Sequence, residues 1–186
     1  MSLVFCDIFL VDFDFLVSPY KTTCKNMSNV LLYIYTKGVI LMDILVINGP
    51  NLNMLGKRDP KHYGTQTLDD VNEYIKASFP EINFTFFQSN HEGAIIDTLH
   101  AASGKFDGIV MNAGAYTHYS YAIADAIDCI GVPVAEVHLS NIHEREDFRK
   151  ISVISANCIG QIAGLGKDSY IEGVKLIIER VTENDK

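Results

Sequence analysis

From Asp43 onward, short apolar runs and segments of helical period take turns along the chain, and this alternation narrows the possible folds sharply. Residues 44–47 are four consecutive branched apolar side chains, the pattern of a strand buried on both faces. After a polar stretch, Thr67 is placed to cap a helix with Asp69 and Asp70 in its first turn and Val71, Ile75 and Phe79 at helical spacing. Residues 84–87 predict a second strand, and 93–102 a second helix with Ile95, Ile96 and Leu99 inward. Residues 109–111 predict a strand, 119–130 a helix, and 132–137 and 158–163 two more strands. A closing helix spans about 169–181, with Ile171, Val174, Ile177 and Ile178 apolar. Strands separated by helices lie parallel, because a crossover must return the chain to the same end of the sheet. Right-handed crossovers then predict an α/β, flavodoxin-like doubly wound sandwich, a five-stranded parallel sheet of order 2-1-3-4-5 with helices on both faces.

Residues 1–41 have another texture. They are rich in Phe, Leu, Val and Tyr, yet Asp7, Asp12 and Asp14 interrupt the first apolar stretch. A signal peptide has a basic start and an unbroken apolar core, and a membrane helix needs about twenty apolar residues. Neither pattern is present. We therefore expect 1–41 to be an N-terminal appendage, poorly ordered or translated from an upstream start, and 42–186 to be the functional domain. The formal net charge of −8, without a Lys/Arg run, argues against a nucleic-acid partner. Cys6, Cys24, Cys129 and Cys158 form no CxxC pair and no zinc-type spacing. The expectation is a reducing, cytoplasmic protein without structural metal, with Cys129 and Cys158 as small buried hydrophobes.

The unusual polar residues fall just after the strands. The first strand runs into Asn48-Gly49-Pro50-Asn51, the third into Asn112-Ala113-Gly114-Ala115-Tyr116-Thr117-His118, and the fourth carries Glu136-Val137-His138-Leu139-Ser140-Asn141. In an open parallel sheet the ligand site lies beyond the carboxyl ends of the strands, where the strand order reverses. Asn51, Asn112 and His118 should therefore meet in one crevice with His138 beside them. The loop 52–66 carries Lys57, Arg58 and Tyr63 and is expected to close over the crevice. His62, His91, His100 and His143 lack such company and are read as surface or structural residues.

No P-loop, GxGxxG, GxSxG or HExxH motif is present. Tyr, His and Arg with several amides remain, a set suited to proton transfer. A free phenol titrates near pH ~10, but a cation such as Arg58 beside Tyr63 favours the phenolate. Such a base could remove a proton next to a ketone, with His138 as the acid for departing hydroxide.

Several stretches together resemble the type II 3-dehydroquinate dehydratase family. They are Ile47-Asn48-Gly49-Pro50-Asn51-Leu52-Asn53, Leu55-Gly56-Lys57-Arg58-Asp59-Pro60 with Tyr63-Gly64, and Gln88-Ser89-Asn90-His91-Glu92-Gly93. Asn112-Ala113-Gly114-Ala115 with Thr117-His118, the Glu136–Asn141 stretch quoted above, Arg145, Phe148-Arg149 and Gly164-Leu165-Gly166 continue it. The resemblance runs from about Asp43 to about Val181 and covers none of 1–41.

It implies a cofactor-free, metal-free lyase that converts 3-dehydroquinate to 3-dehydroshikimate, a reaction common to shikimate synthesis and quinate breakdown, with the shikimate pathway of aromatic amino-acid biosynthesis as the default. Tyr63 would be the base, with Arg58 stabilising its phenolate. Asn51 would position a water on the enolate, and Glu136 would hold His138, the acid. Asn112, His118, Arg149 and the backbone of Leu139 and Ser140 would hold substrate. Asp125 would reach a neighbouring subunit's site in a homo-oligomer, a dodecamer of trimers. Two rivals share part of this pattern. One is a flavodoxin-like module binding flavin or a small anion, although the loop after the first strand lacks hydroxyls. The other is the same activity run through a lysine Schiff base, although Lys57, Lys61, Lys105, Lys150 and Lys167 all fall in polar segments.

Overall fold

A computed structural model describes residues 42–57 and 65–184. Its five strands are β1 (Asp43–Asn48), β2 (Asn83–Gln88), β3 (Gly108–Asn112), β4 (Val134–His138) and β5 (Gly160–Ala163). They pair in parallel in the order β2-β1-β3-β4-β5, as the alternation requires. The helices are α1 (Leu68–Ser78), α2 (Glu92–Ala102), α3 (Tyr121–Ile130) and α4 (Asp168–Asn184).

The branched run of β1 splits between two cores. Ile44 and Val46 join Val71 and Ile75 of α1 and Val174 and Ile177 of α4 on one face. Leu45 and Ile47 join Ile95 and Leu99 of α2 and Ile123 and Ile127 of α3 on the other. A side-chain period of two in the strand thus meets helices on both sides. Each such side chain, fully buried, contributes about 1.5–3 kcal/mol. Thr67 begins α1 with a capping box: its hydroxyl accepts from Asp70 N at 3.2 Å, and the Asp70 carboxylate accepts from Thr67 N at 2.9 Å.

Three boundaries differ from the sequence pattern, each for a local reason. The helix expected from 119 starts at Tyr121, because residues Gly114–His118 wind as a 3-10 turn and Ser120 caps α3 through Ile123 N. The strand expected at 132–137 is shifted to Val134–His138, with Pro133 offering only its carbonyl, to Ile109 N. That shift makes His138 the last residue of β4. The strand expected from 158 begins at Gly160, since Cys158 closes another 3-10 turn, Ser155–Asn157.

Cys129 corrects an expectation: it is exposed, because Ile123, Ala126, Ile127 and Ile130 occupy the inward stripe of α3. Cys158 is half-buried, and that burial, with Glu136 nearby, pushes its thiol up to about 12. Of the two readings open for them, His91, His100 and His143 take the surface one and are exposed. His62, Cys6, Cys24 and the whole of 1–41 lie outside the described residues. Among the described residues no helix is long and apolar enough to cross a membrane.

Candidate active site

The site is built where β1 and β3 run side by side and their following loops part. Asn48 pairs with Asn112 at the last register position, and Gly49 N donates to Asn112 O at 2.7 Å. The two loops are pressed together there. A Cβ on Gly49 would stand 2.4 Å from the Ala113 carbonyl oxygen, so only glycine fits. Gly114 sits at φ +58 with the Pro50 carbonyl close by, and Asn51 is held at φ 67. Asn51 N donates to Asn90 Oδ1 at 2.8 Å, and Gln88 Nε2 donates to Gly49 O at 3.2 Å. The chain is thus turned so that Asn51 opens onto a pocket.

That pocket gathers most of the expected residues. Asn51 comes from the loop after β1, and Asn112 and His118 from the end of β3 and its 3-10 turn. His138, Leu139 and Ser140 come from the end of β4. Arg149 closes the far side together with Arg145, which the sequence reading matched without assigning it a place.

Glu136 stands behind His138 with no exposure to water. Its Oε1 lies 2.6 Å from His138 Nε2. Gln161 Nε2 donates to Oε2 at 2.9 Å, Ser152 Oγ lies 2.9 Å from both oxygens, and Thr117 Oγ1 also donates to Oε1. Burial disfavours the charge, but hydrogen bonds from His138, Thr117 and Gln161 and the attraction of His138 outweigh it. The carboxyl is held below its ordinary range. A carboxylate only accepts, so His138 Nε2 carries the hydrogen of that bond and Nδ1 remains for other work.

His118 is set the opposite way. Its Nδ1 donates to the Ile151 carbonyl at 2.8 Å, leaving Nε2 as the free-facing nitrogen of the neutral ring. Burial lowers its pKa, the Ile151 bond opposes this, and His138 and Arg149 add to the lowering. His118 therefore offers an acceptor at Nε2, and His138 can donate into the pocket from Nδ1 only when its ring carries both protons. Arg149 keeps its guanidinium over the Phe148 ring at 4.8 Å, with Nε 3.0 Å from Glu146 Oε2, close but not aligned as a hydrogen bond. With Arg145 it gives the pocket a cationic side in an acidic protein.

Asp125 does not reach this pocket; it is exposed on α3. Tyr63 and Arg58 lie outside the described residues. The sequence reading missed the donors around Glu136. Thr117 and Ser152 look like ordinary loop hydroxyls, and only burial of a carboxylate one strand away gives them meaning. It also missed Tyr170, a fully buried tyrosine in the first turn of α4. Its signal was available as the polar member of an otherwise apolar stripe. Among the described residues no cluster of three or more His, Cys, Asp or Glu side chains is arranged to hold a metal ion.

A family model described as dehydroquinase class II matches residues 42–178. The chain is 57% identical over 139 residues to a 3-dehydroquinate dehydratase of Chlorobaculum tepidum, covering 74% of this chain and 94% of that protein. It is 56% identical over 144 residues to the 3-dehydroquinate dehydratase of Fusobacterium nucleatum, covering 74% and 97%. Among solved structures, a type II dehydroquinase from Butyrivibrio crossotus superposes with a TM-score of 0.72 at 48% identity, covering 74% of this chain and 97% of that one.

Proposed function

The chain belongs to the class II dehydroquinase family, and on that premise we propose that it is a hydro-lyase converting 3-dehydroquinate to 3-dehydroshikimate in the shikimate pathway. The observation that carries the reading is the buried Glu136–His138 pair at the edge of a pocket lined by amides, a neutral histidine and arginine. Loss of water from a β-hydroxy ketone changes no oxidation state overall, so proton transfers suffice for it. Tyr63, as phenolate beside Arg58, takes the proton from the carbon next to the ketone. The electron pair of that C–H bond moves to the carbonyl oxygen as an enolate, which a water held by Asn51 stabilises. The enolate then re-forms the ketone as the C–O bond breaks, and His138 Nδ1 gives its proton so that the hydroxyl leaves as water.

Glu136 supports this last step by holding Nε2–H and offsetting the charge of the imidazolium. The Nε2 acceptor of His118, the amide of Asn112 and the backbone of Leu139 and Ser140 suit a substrate rich in hydroxyls. Arg149 suits its carboxylate. Family resemblance also supports a homo-oligomer, a dodecamer built from trimers, in which exposed Asp125 completes a neighbouring subunit's site. A cytoplasmic location accords with the pathway role.

The test is direct. Purified chain and 3-dehydroquinate should give rising ultraviolet absorbance as the conjugated enone forms, and no turnover by the assembled protein would remove the reading. Tyr63→Phe keeps the ring and deletes the base, so kcat should fall by about a hundredfold or more; near-normal kcat would clear Tyr63 of that role.

A further inference from the structure

Tyr170 lies wholly inside the protein, 58 residues from Asn112 and 122 from Asn48, and its hydroxyl joins the two. Asn112 Nδ2 donates to the Tyr170 oxygen at 3.0 Å, and Tyr170 O–H donates to Asn48 Oδ1 at 2.6 Å. The direction of this relay is forced from one end. Gly114 N, a backbone donor, points at Asn112 Oδ1 at 3.2 Å. That bond makes Oδ1 the acceptor edge of the Asn112 amide and turns Nδ2 toward Tyr170. Since Nδ2 can only donate, the phenol must accept there and donate onward, and Asn48 Oδ1 accepts that hydrogen. Burial pushes the Tyr170 phenol up, so it keeps its proton throughout the working range. Nδ2 carries two hydrogens, and the bond to Tyr170 engages one.

The neighbouring residue acts on the other side of the site. Ser169 Oγ donates to the His138 carbonyl at 2.8 Å and accepts from Leu165 N at 3.2 Å. The first turn of α4 therefore underlies both strand ends that face the pocket, though Tyr170 itself does not line it.

We propose that Tyr170 is a positioning residue for substrate binding: through the Asn48–Tyr170–Asn112 relay it locks the Asn112 amide so that one Nδ2 hydrogen faces the pocket as a donor to a substrate hydroxyl. The relay spans three elements, β1, β3 and α4, and any rotation of the Asn112 amide breaks its buried bond to Tyr170 and its part-buried bond from Gly114 N at once. A flipped amide would present an acceptor instead, and a hydroxyl held between that acceptor and the acceptor of His118 would lack a donor. This proposal rests on the dehydratase reading above.

The test uses the full chain and 3-dehydroquinate. Tyr170→Phe keeps the ring and removes the relay oxygen. We expect KM to rise about five- to tenfold, the size of one lost buried hydrogen bond, with kcat within about threefold of the unaltered chain. In an Asn112→Ala background the same change should leave KM within about twofold, because Tyr170 then has no amide to orient. A merely structural role would predict the same KM shift in both backgrounds, or lower thermal stability with KM unmoved, and either result overturns the proposal. Should Tyr170→Phe fail to fold, Asn48→Ala removes the far acceptor, and its KM rise must likewise vanish in the Asn112→Ala background. Absence of turnover by the unaltered chain removes the dehydratase reading and this proposal with it, whereas turnover with an unmoved KM in Tyr170→Phe removes only the positioning role.

Discussion

A carboxylate with no access to water takes its charge state from its neighbours, and Glu136 has donors from His138, Thr117, Ser152 and Gln161 around its two oxygens. Replacing one oxygen by an amide in Glu136→Gln puts a donor among donors and no longer balances an imidazolium. We expect kcat to fall on the order of a hundredfold, with KM far less affected, in steady-state assays at neutral pH. The same residue shapes acid stability. Folded Glu136 binds its proton more weakly than in the unfolded chain, where the ordinary value is 4.5. Its contribution is therefore complete above that value and is lost as pH falls below it toward the folded value. Thermal unfolding followed downward through pH 4.5 should show a shallower loss of Tm in Glu136→Gln than in the unaltered chain; identical slopes would mean that Glu136 is not held ionised.

Between elements, the decisive contact is the meeting of the loops after β1 and β3. Gly49 touches Ala113 so closely that a methyl group must push the two loops apart. Gly49→Ala should cost about 1–3 kcal/mol of stability, read from denaturant unfolding. Because Asn51 and Asn112 sit on opposite sides of that contact, KM should rise as well. A variant with unchanged stability and KM would show that the contact is not tight. The same stretch explains how the pocket tolerates strain: Asn51 adopts φ 67 with its N–H satisfied by Asn90, so the unusual backbone is paid for by a bond to the loop after β2.

For the molecule as a whole, two expectations concern what lies beyond one folded domain. Met42 is already buried, and its carbonyl accepts from Asn83 N at 2.9 Å, so the sheet draws in the chain from that residue onward. A chain begun at Met42 should keep its thermal midpoint and its turnover within about twofold. A clear loss of either would assign residues 1–41 a part in folding or catalysis. Exposed Asp125 should matter only in an assembly. Light scattering should give a mass that is a multiple of three chains, and Asp125→Ala should raise KM in that assembly. A fully active monomer would refute both.

Much of the fold was legible in residue order. Branched apolar runs at 44–47 and 109–111, spaced by amphipathic helices, leave few topologies besides a parallel sheet, and handedness removes most of those. The clustering of Asn51, Asn112, His118 and His138 was legible too, because strand ends in such a sheet share one edge. What sequence could not carry was direction and contact. The start of β4 at Val134 depended on the local course of the chain around Pro133, and Cys129 turned outward because helical phase gave the inner stripe to isoleucines. The donors around Glu136 and the Tyr170 relay were beyond reach for one physical reason. Hydrogen bonds between side chains 16 to 25 residues apart around Glu136, or 58 and 122 apart at Tyr170, have no periodic trace, and they exist only once packing has removed water and brought the groups together. Sequence by itself determined which groups stand at the open edge of the sheet; tertiary structure decided which way each of them points its protons.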